Sequence, residues 1–179
     1  QGARPRDPAR LGRPPRRAGA HRPVDFKILE APAGTLRAAL DKIERALDDR
    51  LVEADKKEDA VGDLFSMLRD RFDSVDAIVN NAGVASMNLV ALTPARVARR
   101  IMETNFMGTF LFTHGGIRLL RRAPAPRIVN VTTIAVPLGL EGEAVYAASK
   151  SAVETFTRVT AREVGGFGIT CNAVGPSPI

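Results

Sequence analysis

Ile128-Val129-Asn130-Val131-Thr132, Tyr146-Ala147-Ala148-Ser149-Lys150 and Ile169-Thr170-Cys171-Asn172-Ala173-Val174 follow one another within residues 128–174. The first and last runs are short and rich in Val, Ile and Thr, the residues that fit a pleated, half-buried surface. Between them, residues 145–164 hold apolar positions at helical spacing. A strand, a long helix and a second strand in that order make a crossover, the connection that joins parallel neighbours in a sheet.

The same alternation continues towards the N-terminus. Residues 77–79 form a short apolar strand that stops at Asn80-Asn81-Ala82-Gly83. Thr93-Pro94 opens the next helix, with Thr93 as cap and Pro94 in the first turn. That helix runs to Arg122 and is apolar on several sides through Ile101, Met102, Phe106, Phe110, Leu111 and Ile117. It therefore needs a partner helix as well as a sheet. Further upstream, residues 58–72 have helical spacing, and 51–54 read as a strand ending at Asp55. Residues 35–47 carry a helical stripe, and 24–29 read as another strand. The fold class is α/β, a doubly wound parallel sheet.

Composition narrows the class. Hydrophobic residues make up 45% and charged residues 26% of 179 residues, which suits a single water-soluble globular domain. No apolar run is long enough to span a bilayer, and no Cys/His cluster has metal-ligand spacing. The lone cysteine, Cys171, reads as a small buried hydrophobe, and a reducing cytoplasm is the expected setting. The net charge of +6 is concentrated in residues 1–22, where seven arginines face one acid, Asp7. The remaining 19 basic and 19 acidic residues balance, so no nucleic-acid partner is expected. Residues 1–22 are mostly Arg, Pro, Ala and Gly and are expected to be disordered; residues 23–179 form the domain.

Tyr146 and Lys150 stand four apart on a helix and share one face. A phenol loses its proton only near pH 10 unless a neighbouring cation stabilises the phenolate. Such a pair makes a proton donor for a carbonyl oxygen. Alone the spacing is common, and two solvated helix residues would explain it equally well. Thirteen residues earlier, Thr133 ends the strand with a second hydroxyl.

Together with Asn80-Asn81-Ala82-Gly83, Asn105 and Asn172-Ala173-Val174-Gly175-Pro176, these motifs resemble the short-chain dehydrogenase/reductase family over residues 51–179. Within that family the nearest likeness is to reductases of 3-oxoacyl groups. The resemblance implies a Rossmann-like domain that moves a hydride between NAD or NADP and a carbonyl or secondary alcohol. It gives Tyr146 the role of general acid/base and has Lys150 lower the phenol's pKa while holding the nicotinamide ribose. It has Thr133, where the family usually has serine, hydrogen-bond the substrate oxygen, with Thr132 the weaker alternative. Asn105 would anchor a proton-relaying water. Asp55 would bind the adenine amino group; Asn81, Ala82 and Gly83 would lie along the adenosine ribose; Pro176 and Ile179 would line the nicotinamide. The family also implies a homo-oligomer, dimer or tetramer, built on the helices of residues 93–122 and 145–164.

One family element is missing. No Thr-Gly-x-x-x-Gly-x-Gly turn, whose backbone amides cradle a pyrophosphate, occurs in the sequence. Gly2, Gly12 and Gly19 lie among arginines and prolines without a preceding strand. With Gln1 in place of an initiator methionine and an end at Ile179, the chain is expected to be a fragment and the sheet incomplete. Glu30, after the strand 24–29, is a weak candidate for the adenosine ribose. Two readings follow: an oxidoreductase, or a non-catalytic scaffold of the same family that pairs with intact homologues.

Overall fold

A computed structural model of the protein describes residues 54–177, with side chains from Glu58 onward. The expectations for residues 1–53, and for Ile179, lie outside the described residues. Three parallel strands form one sheet in the order β1 (Ala77–Asn80), β2 (Arg127–Val131), β3 (Thr170–Val174). Ile78 pairs with Ile128, and Ile128 with Cys171, so side chains in register share a face. Sequence neighbours are spatial neighbours here, the usual outcome for consecutive strands.

Helix α1 (Ala54–Arg71) precedes the sheet. The strand expected over 51–54 therefore yields to helix at Ala54, and Asp55 sits in the first turn of α1 instead of at a strand end. Ala54 is the best helix former, and the acids after it suit a helix N-terminus. Between β1 and β2 run α2 (Ala95–Met102), a π-helical turn (Glu103–Met107) and α3 (Gly108–Leu120), one after another without a break. The cap of α2 is Pro94, not Thr93. The Thr93 hydroxyl turns back and donates to the Leu89 carbonyl at 2.9 Å, fastening the preceding loop. A short helix α4 (Ala135–Leu138) and the long α5 (Ala144–Gly165) join β2 to β3.

The sheet has two different faces. Ile78, Ile128, Asn130 and Cys171 point to the helices and are buried, with Ile128 and Asn130 fully so. Ile78, Ile128 and Cys171 meet Val61, Phe65, Leu119, Leu120, Val164 and Ile169 in one apolar core. Two glycines let α3 close down: a Cβ on Gly115 would overlap the Phe65 ring, and one on Gly116 the Ile78 side chain. On the other face Val79 is 62% and Val174 53% exposed. Among the described residues the helices cover one face, the half of a doubly wound sheet that these residues supply. Among them, too, no helix is long and apolar enough to cross a membrane.

Asn130 is polar, central and buried, and its environment accounts for it. Its Oδ1 accepts from Asn80 Nδ2 at 2.7 Å, and its Nδ2 donates to Thr157 Oγ1 at 2.8 Å and weakly to Cys171 Sγ at 3.8 Å. Asn80 also donates to Thr113 Oγ1 at 3.1 Å. The three strands, α3 and α5 are thus stitched by a satisfied polar network, which favours a single register.

Candidate active site

At the carboxyl ends of the strands a cavity of about 310 Å³ opens, lined by Asn81, Gly83, Val84, Ala85, Val131, Thr132, Thr133, Tyr146, Lys150, Pro176 and Ser177. Loops leaving the ends of parallel strands form such crevices in open α/β sheets. Six sequence-predicted residues therefore meet here: Asn81, Gly83, Thr133, Tyr146, Lys150 and Pro176. Ala82 lines a separate apolar cleft between α1 and α3 with Val61, Val79 and Phe112. The side chain of Asp55, expected at the adenine, lies outside those described.

Tyr146 lies in the first turn of α5, and Lys150 lies one turn on. Lys150 is only 4% exposed, and its Nζ donates to the Val131 carbonyl at 2.7 Å. Burial lowers its pKa, since desolvation penalises the ammonium. Gly83 passes close above it. A Cβ there would lie 3.3 Å from Lys150 Nζ and 3.3 Å from Asn105 Oδ1. The glycine thus has a reason inside the chain as well as towards a ligand.

Asn105 is fully buried in the π-helical turn. Its Oδ1 accepts from the Val84 amide at 2.8 Å, and its Nδ2 donates to the Val84 carbonyl at 3.0 Å and to Ser149 Oγ at 2.9 Å. Both amide protons are occupied, so the side chain has no donor left for a water. Its own carbonyl accepts from Thr109 Oγ1 at 2.8 Å. A water would reach Asn105 only by donating to one of its oxygens.

Thr133 Oγ1 accepts from the Ala135 amide at 3.2 Å, which orients the oxygen and leaves its proton to be donated into the cavity. Thr132 is 4% exposed, and Thr133 is the more accessible hydroxyl. Ser149 was not singled out from the sequence, although its place three residues after Tyr146 on a helix could have indicated it. The carbonyl of Val131 carried no sequence signal at all.

The short-chain dehydrogenase family model matches residues 19–179. The chain belongs to the short-chain dehydrogenase family. Similar relatives include a 3-oxoacyl-[acyl-carrier-protein] reductase of Synechocystis, 34% identical over 66% of this chain and 48% of that protein. A cyclopentanol dehydrogenase of Comamonas is 40% identical over 60% of this chain and 43% of its own length. Among solved structures, a short-chain dehydrogenase from Streptomyces avermitilis superposes with a TM-score of 0.64 at 26% identity, covering 68% of this chain and 45% of that one. The chain spans about half the length of the curated relatives it matches. The family match begins four residues ahead of the domain boundary expected at Pro23.

Proposed function

We propose that this short-chain dehydrogenase is an oxidoreductase that transfers a hydride between NAD or NADP and a carbonyl or secondary alcohol. The observation carrying this reading is the convergence of Tyr146, Thr133 and Lys150 on one cavity at the strand ends. A nicotinamide held by Gly83, Lys150 and Pro176 would, when bound, supply the hydride for the carbonyl carbon. Tyr146 gives its phenolic proton to the oxygen, while the Thr133 hydroxyl donates a hydrogen bond to the same oxygen. Lys150, poised beside Gly83, holds positive charge near the phenol and offers donors to a ribose.

The residues present fit the nicotinamide end of the cofactor: a cavity with an ammonium, a glycine approach at Gly83 and the apolar edge of Pro176. For the pyrophosphate the sequence offers no glycine turn, so we expect binding by this chain alone to be weak. Substrates in keeping with the relatives' names are 3-oxoacyl thioesters and simple secondary alcohols. A homo-oligomer in the cytoplasm goes with this reading, joined through α3 and α5. There Phe110 is 36% and Val159 48% exposed, with Phe106 and Phe110 both packed edge-to-face on the ring of Phe156.

Titration with NADH and NADPH, followed by reduction assays on the chain fused to a strand, glycine turn and helix from a homologue and extended beyond Ile179, tests the reading. Binding and turnover that appear in the fused protein, and turnover that vanishes in its Tyr146→Phe variant, support it. Parent-rate reduction by that variant overturns it. The scaffold reading is favoured by the missing glycine turn alone, and would stand if the fused protein bound dinucleotide yet never turned over.

A further inference from the structure

Ser149 is fully buried on α5, where alanine would favour the helix more. Its hydroxyl makes two bonds of opposite sense. Ser149 Oγ donates to the Tyr146 carbonyl at 2.7 Å and accepts from Asn105 Nδ2 at 2.9 Å. Asn105 in turn clamps both the amide and the carbonyl of Val84. One unbroken set of hydrogen bonds therefore runs from the 83–85 loop, through the π-helical turn, to the backbone of Tyr146. Val84 and Tyr146 line the same cavity, so this set of bonds spans it from behind.

We propose that Ser149 is a positioning residue, whose hydroxyl fixes the Tyr146 turn of α5 against the loop at Val84 by way of Asn105. It rests on the assignment of Tyr146 as the acid, and does not require that the chain turn over. The geometry explains why serine is needed. Asn105 Nδ2 lies where no solvent reaches, and only a group that accepts from it while donating to the Tyr146 carbonyl completes both ends. Removing that oxygen leaves an N–H without a partner, and Asn105 must turn away from Val84 to find one.

Two readings on the full chain test this without cofactor. Tyr146 is the sole tyrosine and there is no tryptophan, so tyrosine emission reports that ring alone. In Ser149→Ala, the Val84 amide should exchange about tenfold faster or more, the expected consequence of losing one buried hydrogen bond. Acrylamide should also quench Tyr146 more strongly. Val153→Ala, a truncation on the same buried helix face, should leave Val84 exchange at the parent rate. Ser149→Cys, a weaker donor of similar size, should fall between parent and alanine, and it serves if the alanine variant does not fold. Parent-like Val84 exchange and Tyr146 quenching in a folded Ser149 variant would overturn the proposal while leaving the role of Tyr146 itself intact. Faster exchange in a chain that never reduces a carbonyl would uphold it and count only against the catalytic reading.

Discussion

The two faces of the sheet are unequal: helices bury one and, among the described residues, leave the other open. On the helix side, Ile128, Asn130, Asn105 and Ser149 are fully buried, and the site's side chains hang from that packing. On the opposite side Val79 and Val174 stand more than half exposed. The strands are the same; what differs is whether helices lie on them. The bonds that hold Asn105, Ser149 and Lys150 in place are all made between described residues.

The comparison is most sharply broken at the reacting atoms. In the fused and extended protein, Tyr146→Phe should lower carbonyl reduction by about 10²-fold to 10⁴-fold, the usual worth of a positioned acid. Dinucleotide affinity, measured by titration, should stay near the parent value. Loss of binding in step with turnover would mean that Tyr146 shapes the cavity more than it moves a proton. Thr133→Ala should reduce turnover by roughly 10²-fold, as losing one oriented donor does, whereas Thr133→Ser should be tolerated. Equal rates for the alanine and serine variants would move the hydroxyl's role elsewhere.

Much of this site could be read before the structure. Tyr146, Lys150 and Thr133 announced themselves because hydroxyl, ammonium and helical spacing together are a chemical pattern. The three strands and the helix between β2 and β3 also followed from periodicity, within a residue or so at each end. The π-helical turn did not, because Glu103–Met107 has ordinary helix-forming spacing and only tertiary contacts show the bulge. Asn105 stood out in the sequence, but its partners did not. Its bonds to Val84 and Ser149 join residues 21 and 44 positions away. The start of α1 was misplaced because Val52 read as part of a strand, while Ala54 and the charged residues after it favour helix.

Stability variants should follow the two faces. Gly116→Val forces a branched side chain into Ile78 and should cost about 1–3 kcal/mol, the range for overpacked cores. Val79→Thr on the uncovered face should stay within about 0.5 kcal/mol, as surface changes usually do. Urea midpoints measured side by side would show this; equal losses would mean that the Val79 face is covered in solution.

The smallest effect is in alkali. Burial raises the Cys171 thiol from 9.0 to about 11. Below pH 9 both folded and unfolded chains keep that proton. Between pH 9 and 11 only the folded chain keeps it, so stability falls as pH rises through this window. Lys150 acts oppositely: its lowered pKa means the folded chain sheds its proton first, and stability rises towards its ordinary value. Cys171→Ala should therefore flatten the alkaline decline in melting temperature, and native Cys171 should resist alkylation at neutral pH until the chain is unfolded. A decline unchanged by the substitution would place its source in another group.

The π-helical turn also counts residues. It holds one more residue than an α-helix would need for the same span, which is how Asn105 points at Val84 and Ser149 while Gly115 and Gly116, further on, meet Phe65 and Ile78. Deleting one residue there should restore regular winding and leave the later faces in register, but it takes away the bulge that turns Asn105 towards Val84 and Ser149. The turn thus works as slack let into the helix, taken up by one side chain while both ends stay seated.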